Sequence, residues 1–294
     1  MLTISLTTNR SSVLTPITQM NNKIAVLLPV YKKDKVEYLS KSIESILYQS
    51  YKNFHLYIGV DGPVRDDLRE NLQLLEKQNT VSVVWFEENR GLACVLNDLL
   101  DICFKDGYEY IARMDADDIS ELTRFEKQMA YIEEHPEIDV VGGAIKEINE
   151  EGKSRNKTII YPETPEECRE FFSKRNPHAH PAVLFRKSFF EKLNGKKYRP
   201  EYRQNQDTML WYDGMMAGTK HANIPDVVLR FRMTDTMFKK RRNGWAFAKK
   251  QFKDRLMINK GLGFGRKADI YGFAMFCLLI SPAWIKKIAY KVLR

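Results

Sequence analysis

The 294-residue chain has four cysteines, Cys94, Cys103, Cys168 and Cys277, and no two of them form a Cys-x-x-Cys pair. That scatter excludes a disulfide framework and a zinc knuckle, and it predicts reduced, buried thiols in a cytosolic protein. Glycine is missing from Ile24 to Lys33, so the first strand does not lead into a glycine-rich phosphate loop. A basic, apolar leader is missing too. Residues 1–22 are rich in Ser, Thr and Asn and read as a loose extension rather than an export signal. No apolar run reaches the about 20 residues that crossing a bilayer takes. The nearest, Ile270 to Ile285, is interrupted by Gly272, Ser281 and Pro282. There is no internal repeat and no long linker, which predicts one compact domain over residues 23–235 and a tail over 236–294. With 29% charged and 44% hydrophobic residues, wholesale disorder is excluded.

Acidic residues are scarce at the C-terminus. From Arg230 to Arg294 there are 17 Lys and Arg against three Asp and Glu, a charge of +14 in a chain whose total is +9, which leaves −5 for the remainder. A mildly acidic body therefore carries a basic tail that calls for an anionic partner or surface. Nucleic acid is not the expected partner. Trp245, Phe247 and Phe252 lie among the cations, but no RNA-binding signature accompanies them. Arg266-Lys267 and Lys286-Lys287 bracket the apolar run, so both its ends belong on an anionic cytoplasmic face. Beyond it Ile285, Ile288, Ala289 and Val292 share one helical face. The tail is expected to lie in the plane of a membrane surface; packing against the body and a true span are the alternatives.

What the chain does contain is an alternation of strands and helices from residue 24. Ile24 to Leu28 is a continuous apolar run, the mark of a strand covered on both faces. Leu39, Ile43, Ile46 and Leu47 follow at helical spacing. Phe54 to Val60, Val81 to Phe86 and Tyr108 to Met114 read as further strands, with helices over about 65–78 and from Gly91 between them. This order predicts an α/β fold with a parallel, doubly wound sheet. Its ligands gather at the carboxyl ends of the strands, which here carry Pro29-Val30-Tyr31, Asp61-Gly62 and Asp115-Ala116-Asp117. Further on, Thr123 with Glu126 and Thr164 with Glu167 have the spacing of capping boxes. His180 to Phe185 and Val227 to Met233 read as strands, and Gln206 to Met216 and Asn243 to Asn259 as helices.

The strand ending at Met114 runs straight into Asp115, Asp117 and Asp118. Like charges clustered at a strand end repel one another, so the cluster predicts a divalent cation, Mn²⁺ or Mg²⁺, held by oxygen ligands. A calcium loop is the weaker reading. Asp115, Asp117 and Glu126 fall at its positions 1, 3 and 12, but Ser120 stands where that loop requires glycine.

Taken together, these motifs resemble the family 2 glycosyltransferases of GT-A fold, over roughly residues 23 to 235. The resemblance rests on Leu28-Pro29-Val30-Tyr31, Val60-Asp61-Gly62, Asn89-Arg90-Gly91-Leu92 with Asn97, and Met114-Asp115-Ala116-Asp117-Asp118. It continues through Thr123 to Gln128, His180-Pro181, Gln206-Asp207 with Trp211, and Arg230-Phe231-Arg232. It implies a GT-A (Rossmann-like, mostly parallel) sheet whose nucleotide-sugar half covers about 23–120 and whose acceptor half covers about 121–235. It also implies an inverting transfer from a nucleotide-sugar, a UDP-sugar above all, to a lipid-linked glycan in O-antigen or capsule synthesis. The place of work would be the cytoplasmic face of the inner membrane. A catalytically silent sugar-nucleotide binder is the alternative.

The resemblance assigns Asp117 to the metal, Asp115 to the ribose and the metal, and Asp61 to the uracil imide N–H. Pro29, Val30, Tyr31 and Arg90 join the nucleotide site. Tyr31 stacks on the base or simply packs; Asn97 makes a base contact or a buried hydrogen bond. Asp207 is the expected general base, because direct displacement needs a carboxylate within reach of the acceptor hydroxyl. His180, Gln206, Trp211 and Arg232 are expected on the acceptor side. Two departures stand out. Gln206 occupies a position where the family carries Glu, and Met233-Thr234 a stretch where relatives often carry a metal-binding His. A hard cation gains little from a thioether, so Lys239, Lys240, Arg241 and Arg242 are candidates to neutralise a diphosphate instead.

Overall fold

A computed structural model describes residues 22–234 and 245–282. The expected N-terminal extension, the basic run Lys239 to Arg242 and the apolar face from Ile285 onward lie outside the described residues. Strand β1 (Ile24–Val30) is the centre of the fold, buried on both faces as its unbroken apolar sequence requires. It pairs in parallel with β2 (Phe54–Val60) on one side and β4 (Tyr110–Arg113) on the other, and β3 (Val81–Trp85) extends β2.

The helices between these strands take opposite faces. Helix α1 (Val36–Leu47) sets Leu39, Ile43 and Ile46 against Ile24, Val26 and Leu28. Helix α2 (Asp66–Leu75) adds Leu68 and Leu72 to that layer. Helix α3 (Leu92–Lys105) sets Val95, Leu96, Leu99 and Leu100 against Ala25, Leu27 and Tyr57 on the other face. Each such fully buried aliphatic side chain contributes about 1.5–3 kcal/mol, so the alternation of β1 residues between two cores fixes its register.

Beyond β4 the sheet becomes mixed. The nine-stranded order is β3-β2-β1-β4-β8-β6-β9-β5, with β7 (Ser154–Ile159) paired to β6 (Val140–Ile148). Strand β8 (Leu184–Arg186) is antiparallel to both β4 and β6, whereas β9 (His221–Arg232) runs parallel to β6. Strand β9 begins well before Val227. Its register shifts between Gly143 and Ala144, where Pro225 and Asp226 fall between the paired residues Ile224 and Val227. Strand β5 is two residues long, Ile119–Ser120, and pairs antiparallel with β9.

Several local expectations need correction. Helix α4 (Arg124–Glu134) starts after Thr123, but Thr123 makes no side-chain cap. Glu126 instead accepts a hydrogen bond from Ser50 Oγ at 2.7 Å, so a partner outside the helix displaces the capping box. The box at Thr164 does form, opening α5 (Pro165–Phe172). His180–Ala182 is a 3-10 turn rather than strand, and the strand starts only at Leu184. A short helix α6 (Ser188–Lys192) and helix α7 (Gln206–Met216) follow. Cys103 and Cys168 are buried, Cys94 is half-buried, and Cys277 is exposed; an apolar run around a cysteine did not ensure its burial.

In the tail, α8 (Trp245–Gly261) and α9 (Arg266–Ile280) form a hairpin. Ile258 and Leu262 join the core around Trp211, so the inner side of α8 packs on the body. No described helix is long and apolar enough to cross a membrane.

Candidate active site

Because β1, β2 and β4 run parallel, their carboxyl ends share one rim. At the end of β2, Gly62 takes φ +80°, and a Cβ there would meet the backbone N of Asn89 at 2.6 Å. Only glycine lets the two loops approach so closely. Asp61 then turns its carboxylate onto that neighbour. It accepts from Asn89 Nδ2 at 2.9 Å, from the Arg90 backbone N–H at 2.8 Å and from the Gly91 N–H at 2.9 Å. Asp61 thus pins the Asn89-Arg90-Gly91 loop ahead of α3. Arg90 itself is ion-paired with Asp98 and lies over the Phe86 ring.

At the end of β4, Asp115 is half-buried and Asp118 is fully buried. Arg113, itself buried, ion-pairs with Asp115 and donates to the carbonyl of Met114. Ser42 Oγ, from α1, holds the Asp115 carbonyl at 2.9 Å. Asp115, Asp117 and Asp118 each present a carboxylate oxygen, and these atoms lie within 4.8 Å of one another. Burial, followed by the charges of Asp117 and Asp115, pushes the Asp118 carboxyl well above the ordinary carboxylate range. One of its oxygens accepts the Arg232 backbone N–H at 2.8 Å. The other, Oδ2, is buried without a hydrogen-bond partner. An all-oxygen donor set with an orphaned, buried carboxylate oxygen fits a hard divalent cation.

The surroundings of His180 are built around Tyr198. His180 Nε2 meets its hydroxyl at 2.7 Å, and both rings are buried. Burial lowers the pKa of His180 well below its ordinary value, and the nearby Arg113 charge lowers it further. Burial also raises the Tyr198 phenol, and the Asp207 and Asp115 charges add to that shift, so Tyr198 feels both acids. Asp207 stands in the first turn of α7, where Asn176 Nδ2 donates to its Oδ2 at 3.0 Å. Asn176 Oδ1 in turn accepts from Thr208 Oγ1 at 3.0 Å, which fixes the start of the helix. Gln206, the first residue of α7, is half-buried beside it, as are Pro29 and Tyr31 on the β1 end.

Three expected contacts are corrected, and one open choice is decided. Trp211 is fully buried, packed against His178, His180, Phe185, Phe189 and His221, and so cannot touch an acceptor. Val30 is 1% exposed and belongs to the core beside α1. Asn97 holds the Tyr198 backbone from both sides, donating to its O at 2.8 Å and accepting from its N at 2.9 Å. Of the two readings of Asn97, a base contact or a buried hydrogen bond, the structure shows the second. Arg232, 1% exposed, is a brace behind the acid loop rather than an acceptor ligand. Its Nε donates to the Asp117 carbonyl at 2.7 Å and its Nη1 to Glu150 O at 2.8 Å.

Sequence reading missed Arg113, Ser42, Arg124, Asn176 and Tyr198. For Arg113 a signal existed, since a cation inside an apolar strand next to three acids must be paired. Arg124 ties the end of β4 to the residue ahead of β8 by donating to Arg113 O at 2.9 Å and Val183 O at 3.1 Å. Burial pushes its pKa down to about 9. Met233 is buried, its N–H on Ile148 O at 2.9 Å.

The pattern for Glycosyl transferase family 2 matches residues 25–193. The amylovoran biosynthesis glycosyltransferase AmsE of Erwinia amylovora is 34% identical over 227 residues, covering 77% of this chain and 82% of that one. An Escherichia coli UDP-Gal:alpha-D-GlcNAc-diphosphoundecaprenol beta-1,3-galactosyltransferase is 28% identical over 232 residues, covering 79% and 81%. Among solved structures, S. aureus TarS 1-349 in complex with UDP-GlcNAc superposes with a TM-score of 0.61 at 15% identity, over 90% of this chain and 82% of that one. That likeness is one of fold, GT-A. The matched pattern and the AmsE relative together show that the chain belongs to glycosyl transferase family 2.

Proposed function

We propose that the protein is an inverting hexosyltransferase that moves a sugar from a UDP-sugar to a hydroxyl of a lipid-linked oligosaccharide during surface polysaccharide synthesis. The observation that carries it is the meeting of Asp115, Asp117 and the orphaned Asp118 oxygen at one rim. The UDP and diphosphoundecaprenol in the relatives' names support the donor and the acceptor class. The nucleotide half, about 23–120, would then hold the donor, and residues 121–235 the acceptor.

Asp117 and Asp115 would hold Mn²⁺ or Mg²⁺ there, with Asp118 Oδ2 behind them; the cation would neutralise the diphosphate as it leaves. Pro29, Tyr31, Asp61 and the Arg90 loop would frame the nucleoside. The Asp207 carboxylate takes the proton from the acceptor hydroxyl. The freed oxygen attacks the anomeric carbon from the face opposite the diphosphate. One glycosidic bond forms as the sugar–phosphate bond breaks, and the configuration inverts. The buried His180–Tyr198 pair would shape the acceptor side from behind, with Gln206 at its edge. A cytoplasmic membrane face is the place where such donor and acceptor meet.

The test is Asp207→Asn. Turnover should fall by about 10²–10⁴-fold while calorimetry still records UDP binding in the presence of Mn²⁺. Near wild-type turnover would remove Asp207 from the role of base. Intact binding with no transfer by the unaltered protein under any UDP-sugar would favour a silent binder.

A further inference from the structure

We propose that the α8–α9 hairpin docks the protein on an anionic lipid surface, through an apolar stripe of α9 and the cation-flanked aromatic seam beside it. The stripe consists of Ile270, Phe273, Cys277 and Ile280, which recur at helical spacing along α9. Ile270 is 69% exposed, Phe273 55% and Ile280 43%. Next to it runs a ladder of rings between the two helices. Trp245 meets Phe276 at 5.3 Å, Phe276 meets Phe252 at 5.5 Å, and Phe252 meets Phe273 at 5.9 Å. Trp245 is itself 62% exposed. Large apolar groups gathered like this on one outer face mark an interaction surface.

The opposite side of the hairpin is anchored. Ala248 and Ile258 of α8 are buried, and Arg255 Nη1 donates to Phe172 O at 2.5 Å. Tyr202 OH donates to Asp254 at 3.2 Å. A Cβ on Gly272 of α9 would lie 2.9 Å from Arg255 Cγ, so α9 sits tightly on α8 there. The stripe therefore faces away from the body.

Charge selects the occupant. On α8, Trp245, Lys249, Leu256 and Lys260 fall on one helical stripe with Lys253 beside it, and Arg266 and Lys267 open α9. These five cations are exposed, and no ion pair holds any of them among the described residues. Two copies meeting face to face would set like-charged stripes against each other, whereas anionic headgroups complement both the rings and the cations. Helix α9 has 15 residues, a length of about 22 Å, short of the about 30 Å hydrocarbon core. It can lie in the interface but not cross it. The docking has a consequence for the proposed reaction. Tyr202, held by α8 through Asp254, belongs to the loop that leads into Asp207, so the hairpin that docks is tied directly to the segment that carries the proposed base.

Vesicle binding tests this without any sugar donor, so it stands or falls separately from the proposed reaction. The full chain should co-sediment with phosphatidylglycerol–phosphatidylcholine vesicles and much less with phosphatidylcholine alone. Ile270→Glu with Phe273→Glu, both at exposed positions, should weaken partitioning at least about tenfold. Lys249→Glu with Lys253→Glu should weaken it and flatten its salt dependence. UDP calorimetry on each variant should match the unaltered chain, which shows the fold intact. A polarity-sensitive dye on Cys277, in a Cys94→Ser background, should shift to the blue when anionic vesicles are added. Equal binding to both vesicle types, or unchanged partitioning of the Glu variant, would overturn the proposal. So would a dimer in sedimentation velocity that Phe273→Glu dissociates, because a second copy would then cover the face.

Discussion

Arg232 holds Asp118 by its backbone and the residue before it by its side chain. The Arg232 backbone N–H donates to Asp118 Oδ1 at 2.8 Å, while its guanidinium Nε reaches one residue back to the carbonyl of Asp117 at 2.7 Å. The last residue of β9 thereby sets the curvature of the acid loop, and the face of Tyr38 covers the guanidinium 4.3 Å away. Arg232→Ala keeps the backbone bond but removes the guanidinium donor from the carbonyls of Asp117, Asn149 and Glu150, of which Asn149 O keeps the Gly152 N–H at 3.0 Å. The expected cost is about 2–4 kcal/mol in urea denaturation. Metal-linked UDP binding should be lost as the loop relaxes, and Arg232→Lys should recover only part of either.

Asp117→Ala should remove transfer and the Mn²⁺-dependent part of UDP binding together, with thermal stability nearly unchanged, because its carboxylate lies half-exposed at the rim. Calorimetry with and without Mn²⁺ measures this. Retention of a metal-dependent heat would exclude Asp117 as a ligand.

Asp61 offers a different outcome. Its carboxylate already accepts from Asn89, Arg90 and Gly91. In Asp61→Asn an amide NH₂ must face backbone N–H groups. That should cost about 1–3 kcal/mol and weaken UDP binding by loosening the loop. Thermal shift with and without UDP resolves the two effects. A variant that loses UDP binding with no loss of stability would show that the carboxylate serves the base and not the loop.

Trp211→Ala should cost about 3–5 kcal/mol, the loss of a large ring from a packed core. Trp211→Phe should fold and leave the acceptor KM unaltered. A raised KM in Trp211→Phe would put the indole back on the acceptor side.

The buried chain Thr219–His221–His178–Asn223 predicts an acid-sensitive fold. Thr219 Oγ1 meets His221 Nε2 at 2.9 Å, His221 Nδ1 meets His178 Nε2 at 3.0 Å, and His178 Nδ1 meets Asn223 Oδ1 at 2.8 Å. Burial lowers His178 from 6.5 to about 4, and it lowers His221 well below 6.5, with His178 adding to that shift. The unfolded chain therefore takes up protons below pH 6.5 that the folded chain refuses. Stability is unaffected above that value and falls as pH drops from 6.5 towards 4. Urea midpoints across that window should decline in the unaltered protein and decline less in His221→Gln.

The alternation of strands and helices was legible because its signals are local. Apolar β1, the helical spacing in α1 and α3, and the acids following β4 are all set by neighbours within a few residues. Strand β7, Ser-Arg-Asn-Lys-Thr-Ile, gave no such signal, since it is an exposed edge with a polar sequence. Thr123 and Thr164 have the same capping pattern, yet only Thr164 caps, because Glu126 has Ser50 within reach.

By itself, then, the sequence determined the α/β order, the rim at which Asp61, Asp115 and Asp117 meet, and the basic tail. Parallel strands with fixed period deliver their ends to one edge without reference to the rest of the chain. Only the tertiary structure decided which polar side chains face that edge. Asn97 is spent on Tyr198, 101 residues away, and Arg232 on Asp117, 115 residues away. A side chain's partner follows from where the whole sheet places it, and no local pattern encodes that distance.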